Sequence, residues 1–311
     1  MIIAALQMAS VRARHCLVLG LLAGLFLPQV AAAMAPWLPQ MVAALLVVTA
    51  LRIGHRAALG ALGDLGRTVL WVLGLQLALP LVLFGVLAAC GLGGSTAALV
   101  IVLVTAAPAL SGSPNLALML GLDGGKMMQI LILGTAAFPV TVLPVLLLMP
   151  QLGTAAAVLA AAGQLLAVIA VSAGVGFALR ARFFPAPTAG QLQWLDGLSV
   201  LAFSGIVVGL MAALAPALAQ NPAAVAGWMA LAFGLCYGLQ FAVQFALRPG
   251  PMAHMSGPIA LAAGNRNIAL FLVALPPEAL TPIMVFVACW QVPMYLTPLI
   301  LKPLYHPKSP A

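Results

Sequence analysis

Apolar residues run in long blocks along nearly the whole chain, and the polar positions fall into short gaps between them. A block of about 20 apolar residues crosses a bilayer as a helix, because only a helix or a closed barrel satisfies its own backbone there. Cutting the blocks at charges, Gly/Pro clusters and polar loops predicts ten spans, at 15–32, 36–53, 68–90, 96–119, 127–149, 154–179, 194–218, 223–247, 255–275 and 279–301. The first ten residues are apolar and Arg12 and Arg14 follow them, the reverse of the order in a cleaved signal peptide. They are expected to form a short interfacial lead-in.

The gaps alternate in charge. Arg12 and Arg14, then Arg52, His55, Arg56 and Arg67, then Lys126, Arg180 with Arg182, Arg248, and finally Lys302 with Lys308 fill every second gap. The gaps at 30–35, 90–95, 150–153, 219–222 and 276–279 carry no Lys or Arg. By the positive-inside rule both termini are cytoplasmic and the protein sits in the plasma (inner) membrane. Nine or eleven spans would break the alternation. Ten divide into two fives, residues 1–150 and 151–311, and an odd number per half turns the second half upside down relative to the first.

Composition changes this picture only by hardening it. Of 311 residues, 65% are hydrophobic and 5% charged, whereas a soluble domain carries about 25% charged residues. The net charge of +8 sits in the short gaps, so it reads as topology signal and as anchorage to an anionic lipid leaflet, with no nucleic-acid partner. Cys16, Cys90, Cys236 and Cys289 are scattered singly, without metal-ligand or disulfide spacing. The spans hold no His/Asp/Glu/Cys constellation of the kind an intramembrane enzyme needs, so no enzymatic activity and no cofactor are expected.

Two spans are interrupted, and at matching places. The fourth contains Pro108, Ser111, Gly112, Ser113, Pro114 and Asn115; the ninth, fourth of its half, contains Gly264, Asn265, Arg266 and Asn267. Paired interruptions in corresponding spans point to the binding site of a secondary transporter. Arg266 is the one basic residue outside the alternating gaps. A cation at mid-membrane costs about 2.5–3.5 kcal/mol on insertion scales, so it faces a cavity, a counter-ion or a ligand. Asp64, Asp123, Asp196 and Glu278 are the only acids, and all four are placed in or next to loops. Arg266 is therefore expected to meet backbone carbonyls, side chains such as Gln76 and Asn115, water, or an anionic ligand. Its fork of donors suits a carboxylate, and half-helix N-termini at the breaks would add positive dipole ends. Pinning the unwound helix ends to carbonyls is the plainer role, and the two are compatible. Asn115, Asn265 and Asn267 either cap the broken ends or touch substrate. Gln76, ahead of Pro80, either bonds a carbonyl that the proline frees or acts as a ligand.

These interruptions resemble those of the bile acid/sodium symporter family. The resemblance rests on Gln76-Leu-Ala-Leu-Pro80 in the third span, on APALSGSPN at 107–115, on Pro139 and Pro144, and on GNRNIAL at 264–270. It implies an all-α polytopic membrane protein with ten transmembrane helices in two inverted five-helix repeats, the fourth and ninth broken and crossing. It also implies sodium ligands at Gln76, Asn115 and Ser113. Two departures bear on those sites. Ala262 stands where the family has a glutamate bridging both sodium ions, and Arg266 stands where it has a glutamine ligand. Two like charges 4 Å apart repel by about 4 kcal/mol at an effective dielectric of 20, so a guanidinium there opposes a second cation.

The expectation is a secondary transporter of a small organic anion, with substrate contacts at Arg266, Asn265, Asn267, Asn115, Gln76, Ser111 and Ser113. Arg266 would replace the second-site sodium, leaving at most a weak sodium site at Ser113, Asn115 and Thr135. A conventional sodium-coupled symporter and an anion channel are the alternatives. Without sodium, an inside-negative potential drives an anion outward by about 2.3 kcal/mol per charge per 100 mV, which favours export or exchange.

Overall fold

The computed structural model describes residues 2–63 and 66–305, so Asp64, His306 and Lys308 lie outside the described residues. Among these the chain is helical, with one isolated β-bridge and no strand. The helices are α1 (Ile2–Val11), α2 (Ala13–Phe26), α3 (Pro28–Ile53), α4 (His55–Gly63), α5 (Gly66–Ala89), α6 (Thr96–Ala106), α7 (Ser113–Met119), α8 (Gly124–Leu147), α9 (Ala155–Phe183), α10 (Ala189–Gln220), α11 (Pro222–Leu247), α12 (Ala253–Gly264), α13 (Pro277–Ile300) and α14 (Lys302–Tyr305). A 3-10 stretch, Ile268–Val273, follows α12.

Seven of these, α3, α5, α8, α9, α10, α11 and α13, are long and apolar enough to cross a membrane; the pair α1 and α2, bent by 95°, makes an eighth if it is one span. The protein is thus a polytopic helical membrane protein.

Local sequence explains where the helices begin and end. Ser95, Asp123, Thr154, Thr188 and Asn221 each cap a helix by accepting a backbone N–H from the first turn. Asp123 accepts from Gly125 and Lys126, and those bonds hold its carboxyl below the usual range. α5 and α7 stop at Gly91 (φ 75°) and Gly121 (φ 64°). In both, the glycine N–H and the next one fold back on the last turn, to Ala88 and Leu87 in α5 and to Leu118 and Ala117 in α7. A left-handed residue is needed there, and glycine adopts it without strain.

Several boundaries differ from expectation: α4 occupies most of the gap expected between 53 and 68, and α10 begins at Ala189 rather than at 194. The chain also breaks at Leu27, and 30–35, expected as a loop, is helical within α3. Pro28 at the first turn explains this last shift, since proline cannot continue α2 but starts a helix well.

The helices pack as two groups. α1, α2, α3, α9 and α10 form one, and α5–α8 with α11–α13 the other. Small residues let the backbones approach in each. Gly197 of α10 faces the Leu6 carbonyl of α1, Gly176 of α9 faces Val47 and Ala50 of α3, and Gly264 of α12 faces the Cys236 carbonyl of α11. Large apolar side chains such as Phe26, Val82, Val86, Val140, Val171 and Phe245 point outward, as a lipid-facing surface requires. The interrupted segments are the best buried: every residue from Ala98 to Leu110 except Ile101 is buried, as is every residue from Met255 to Ile268. Irregular backbone at membrane depth survives only where protein covers it.

Candidate functional site

At the centre the two interruptions meet. Leu110 N–H donates to the Asn265 carbonyl at 2.9 Å and Asn267 N–H donates to the Pro108 carbonyl at 2.8 Å, forming an antiparallel bridge between Ala109 and Arg266. Each break thus satisfies part of the other's backbone.

Arg266 satisfies much of the rest. Its side chain is 1% exposed. Nε donates to the Ala263 carbonyl at 2.9 Å, Nη1 to Ala107 at 2.9 Å and Nη2 to Leu75 at 3.1 Å. All three carbonyls are left over for identifiable reasons. Ala263 lies in the last turn of α12 and Ala107 at the end of α6, where carbonyls have no helical partner. Leu75 sits in a wide turn, Gly74–Ala78, in which each carbonyl looks to the fifth residue on; for Leu75 that residue is Pro80, which has no N–H. The guanidinium gathers orphan acceptors from three segments, and Trp290 Nε1 in turn donates to the Arg266 carbonyl at 3.1 Å.

The other expected site residues divide. Asn265 is fully buried: Nδ2 donates to the Leu261 carbonyl at 3.2 Å, and Oδ1 faces the Thr297 hydroxyl at 3.3 Å. It caps α12. Asn267 Nδ2 donates to Ser111 Oγ at 3.2 Å, tying the two breaks side chain to side chain. Gln76 Oε1 and Ser113 Oγ are buried and meet no donor among the described residues. Gln76 does not bond the carbonyl freed by Pro80, which Arg266 takes. Asn115 turns away from the crossing, toward Asp196.

Two cavities flank the first break. The smaller, about 60 Å³, lies between α2, α3 and α10 on one side and the 110–119 stretch, α8 and α13 on the other; Ser111 and Asn115 line it. The larger, about 320 Å³, is walled by α3, α4, α8 and α9, and Ser111 and Thr135 line it. Thr49, Ile53, Ser111 and Leu131 line both, so the two adjoin along the seam between the helix groups. The expected weak sodium set is split, with Asn115 on the smaller cavity and Thr135 on the larger. Beside Arg266 the gap is only about 10 Å³, the space of one water at most.

The expectation that every acid lies in or next to a loop fails at Asp196. It stands two turns inside α10, 17% exposed, with Oδ1 accepting from Arg52 Nε at 2.8 Å and Oδ2 from Nη2 at 3.4 Å. Asn115 Nδ2 approaches the same Oδ1 at 3.5 Å. Both charges line the smaller cavity. A signal was present in the sequence. Thr188-Ala-Gly-Gln191 is a capping box, formed here in full, and it starts α10 at Ala189. That box places Asp196 within the helix. Arg52, in the last turn of α3, was masked by its place in a run of basic residues. Comparison with models of protein families and with curated proteins returned no match to this chain.

Proposed function

We propose that the protein is a secondary-active membrane transporter of a small organic anion, a divergent relative of the bile acid/sodium symporters. In this reading the seven full-length helices, α2 with α1 as its interfacial lead-in, and the two interrupted segments each cross once. That makes ten crossings in two inverted halves, 1–150 and 151–311, with both termini in the cytoplasm and the protein in the plasma membrane. The motif resemblance at 76–80, 107–115 and 264–270 supports the family.

The observation that carries the reading is the crossing itself. Two interrupted helices pair backbone to backbone, and carbonyls of three segments converge on one buried positive charge. Convergent carbonyls are also the way a protein holds an alkali cation. Arg266 is the permanent occupant of such a place, and it removes the need for a second sodium. The adjoining cavities at the seam between helix groups are where a substrate would be exposed first to one side and then to the other.

The decisive experiment takes the anion found by mass spectrometry on purified protein and follows its exchange in proteoliposomes, in sodium chloride and in choline chloride. Equal exchange in both is expected. A steep sodium requirement would favour the second reading, a conventional sodium-coupled symporter. Gln76 Oε1 and Ser113 Oγ support that alternative, as buried oxygens without a protein donor among the described residues.

A further inference from the structure

An anion carrier needs a positive charge that its substrate can reach. Arg266 is not that charge, because it is 1% exposed, each of its three nitrogens already donates to a carbonyl, and the gap beside it is only about 10 Å³. Arg52 is placed differently. Its side chain is 24% exposed and lines the smaller cavity, and Asp196 engages it side-on through Nε and Nη2. That two-point geometry is the one in which an arginine takes any carboxylate. The backbone beneath it is fixed, since Arg180 Nη1 donates to the carbonyls of Leu51 and Arg52 at 3.0 and 3.1 Å. The fork therefore hangs from a held helix end. Among the described residues the other side chain that meets Asp196 is Asn115, reaching across the cleft at 3.5 Å.

The apolar half of a ligand site lies next door. Thr49 and Ile53, on the same stretch of α3 as Arg52, also line the larger cavity, whose wall includes Leu46, Ile169 and Phe177. Its volume of about 320 Å³ is in the range of small-molecule sites, which are mostly apolar with a few placed polar groups.

We propose that Arg52 recognises the substrate's carboxylate, and that Asp196 is the internal carboxylate which occupies Arg52 while no substrate is bound. The ligand class is an amphipathic monocarboxylate, its charged head on Arg52 and its apolar body in the larger cavity. The inference rests on the anion-carrier reading. Exchange of one carboxylate for another leaves the guanidinium paired throughout, while the displaced Asp196 carboxylate, 17% exposed on the cavity wall, passes to Asn115 and water.

The test measures binding of radiolabelled 4-phenylbutyrate to the purified full-length protein by equilibrium dialysis, with 4-phenylbutyramide as the uncharged competitor. Saturable binding that the amide does not displace is expected for the wild type. Arg52→Gln should weaken it by at least about tenfold, with Arg52→Lys between the two. Asp196→Asn should tighten it by about threefold to tenfold, because the resident competitor is gone. A purely structural ion pair predicts the opposite for Asp196→Asn, and retained binding in the shape-keeping double variant Arg52→Met/Asp196→Leu; either result overturns the proposal. If wild type and Arg52 variants, all folded by size-exclusion profile, bind the carboxylate equally, Arg52 is excluded while the anion-carrier reading stands. If the wild type does not prefer the carboxylate to its amide, that reading falls and this one with it.

Discussion

Arg266 shows how a buried charge can be tolerated without an acid. Hydrogen bonds to a charged group contribute about 1.5–3 kcal/mol each, and a buried carbonyl left without a donor costs about 1–3 kcal/mol. Three carbonyls depend on this guanidinium. Arg266→Ala should therefore destabilise the protein by more than about 3 kcal/mol, read as a lowered thermal midpoint in detergent. Arg266→Lys should fall between, keeping charge but losing the planar fork. If the carbonyls form a cation place, sodium chloride in place of choline chloride should raise the midpoint of Arg266→Ala and leave wild type unmoved. No shift in the variant would reduce Arg266 to a scaffold.

At the scale of elements, the breaks in the fourth and ninth apolar segments were legible from their Gly, Pro, Ser and Asn content, because these residues fit poorly in an uninterrupted helix. Their partners were not. Nothing local says that Pro108 will accept from Asn267, or that Leu110 will donate to Asn265, since the residues lie more than 150 positions apart. The expected helical N-terminus after the second break is likewise a six-residue 3-10 stretch, Ile268–Val273, shaped by packing rather than by propensity. The crossing also depends on how closely α12 approaches α11. A Cβ on Gly264 would overlap the Cys236 carbonyl and lie 2.5 Å from Cγ of Gln240. Gly264→Ala should cost about 1–3 kcal/mol by overpacking, measured as a lowered unfolding midpoint, whereas alanine at Gly227 of α11, with open space around it, should be nearly neutral.

For the whole molecule, the alternation of basic and uncharged gaps makes an orientation testable with native residues. Cys90 is exposed at the end of α5, beside an uncharged gap, whereas Cys236 and Cys289 are buried. If both termini are cytoplasmic, as proposed, a membrane-impermeant maleimide applied to intact cells should label Cys90 and spare Cys236 and Cys289. Labelling of Cys90 only after permeabilisation would invert the topology. The seam between the helix groups is also a whole-molecule feature, since its cavities are lined from both.

The membrane class, the position of most helices, the two interruptions and the oddity of Arg266 follow from sequence alone, because hydropathy, proline, glycine and charge act locally and the bilayer admits few backbone solutions. Tertiary structure decided what Arg266 does with its donors, that Asn115 faces Asp196, and that Arg52 and Asp196 meet over a cavity. Those outcomes depend on which distant carbonyls and carboxylates the packing brings within 3 Å or so of a donor. A guanidinium reads only its neighbours in space, and the chain order does not list them.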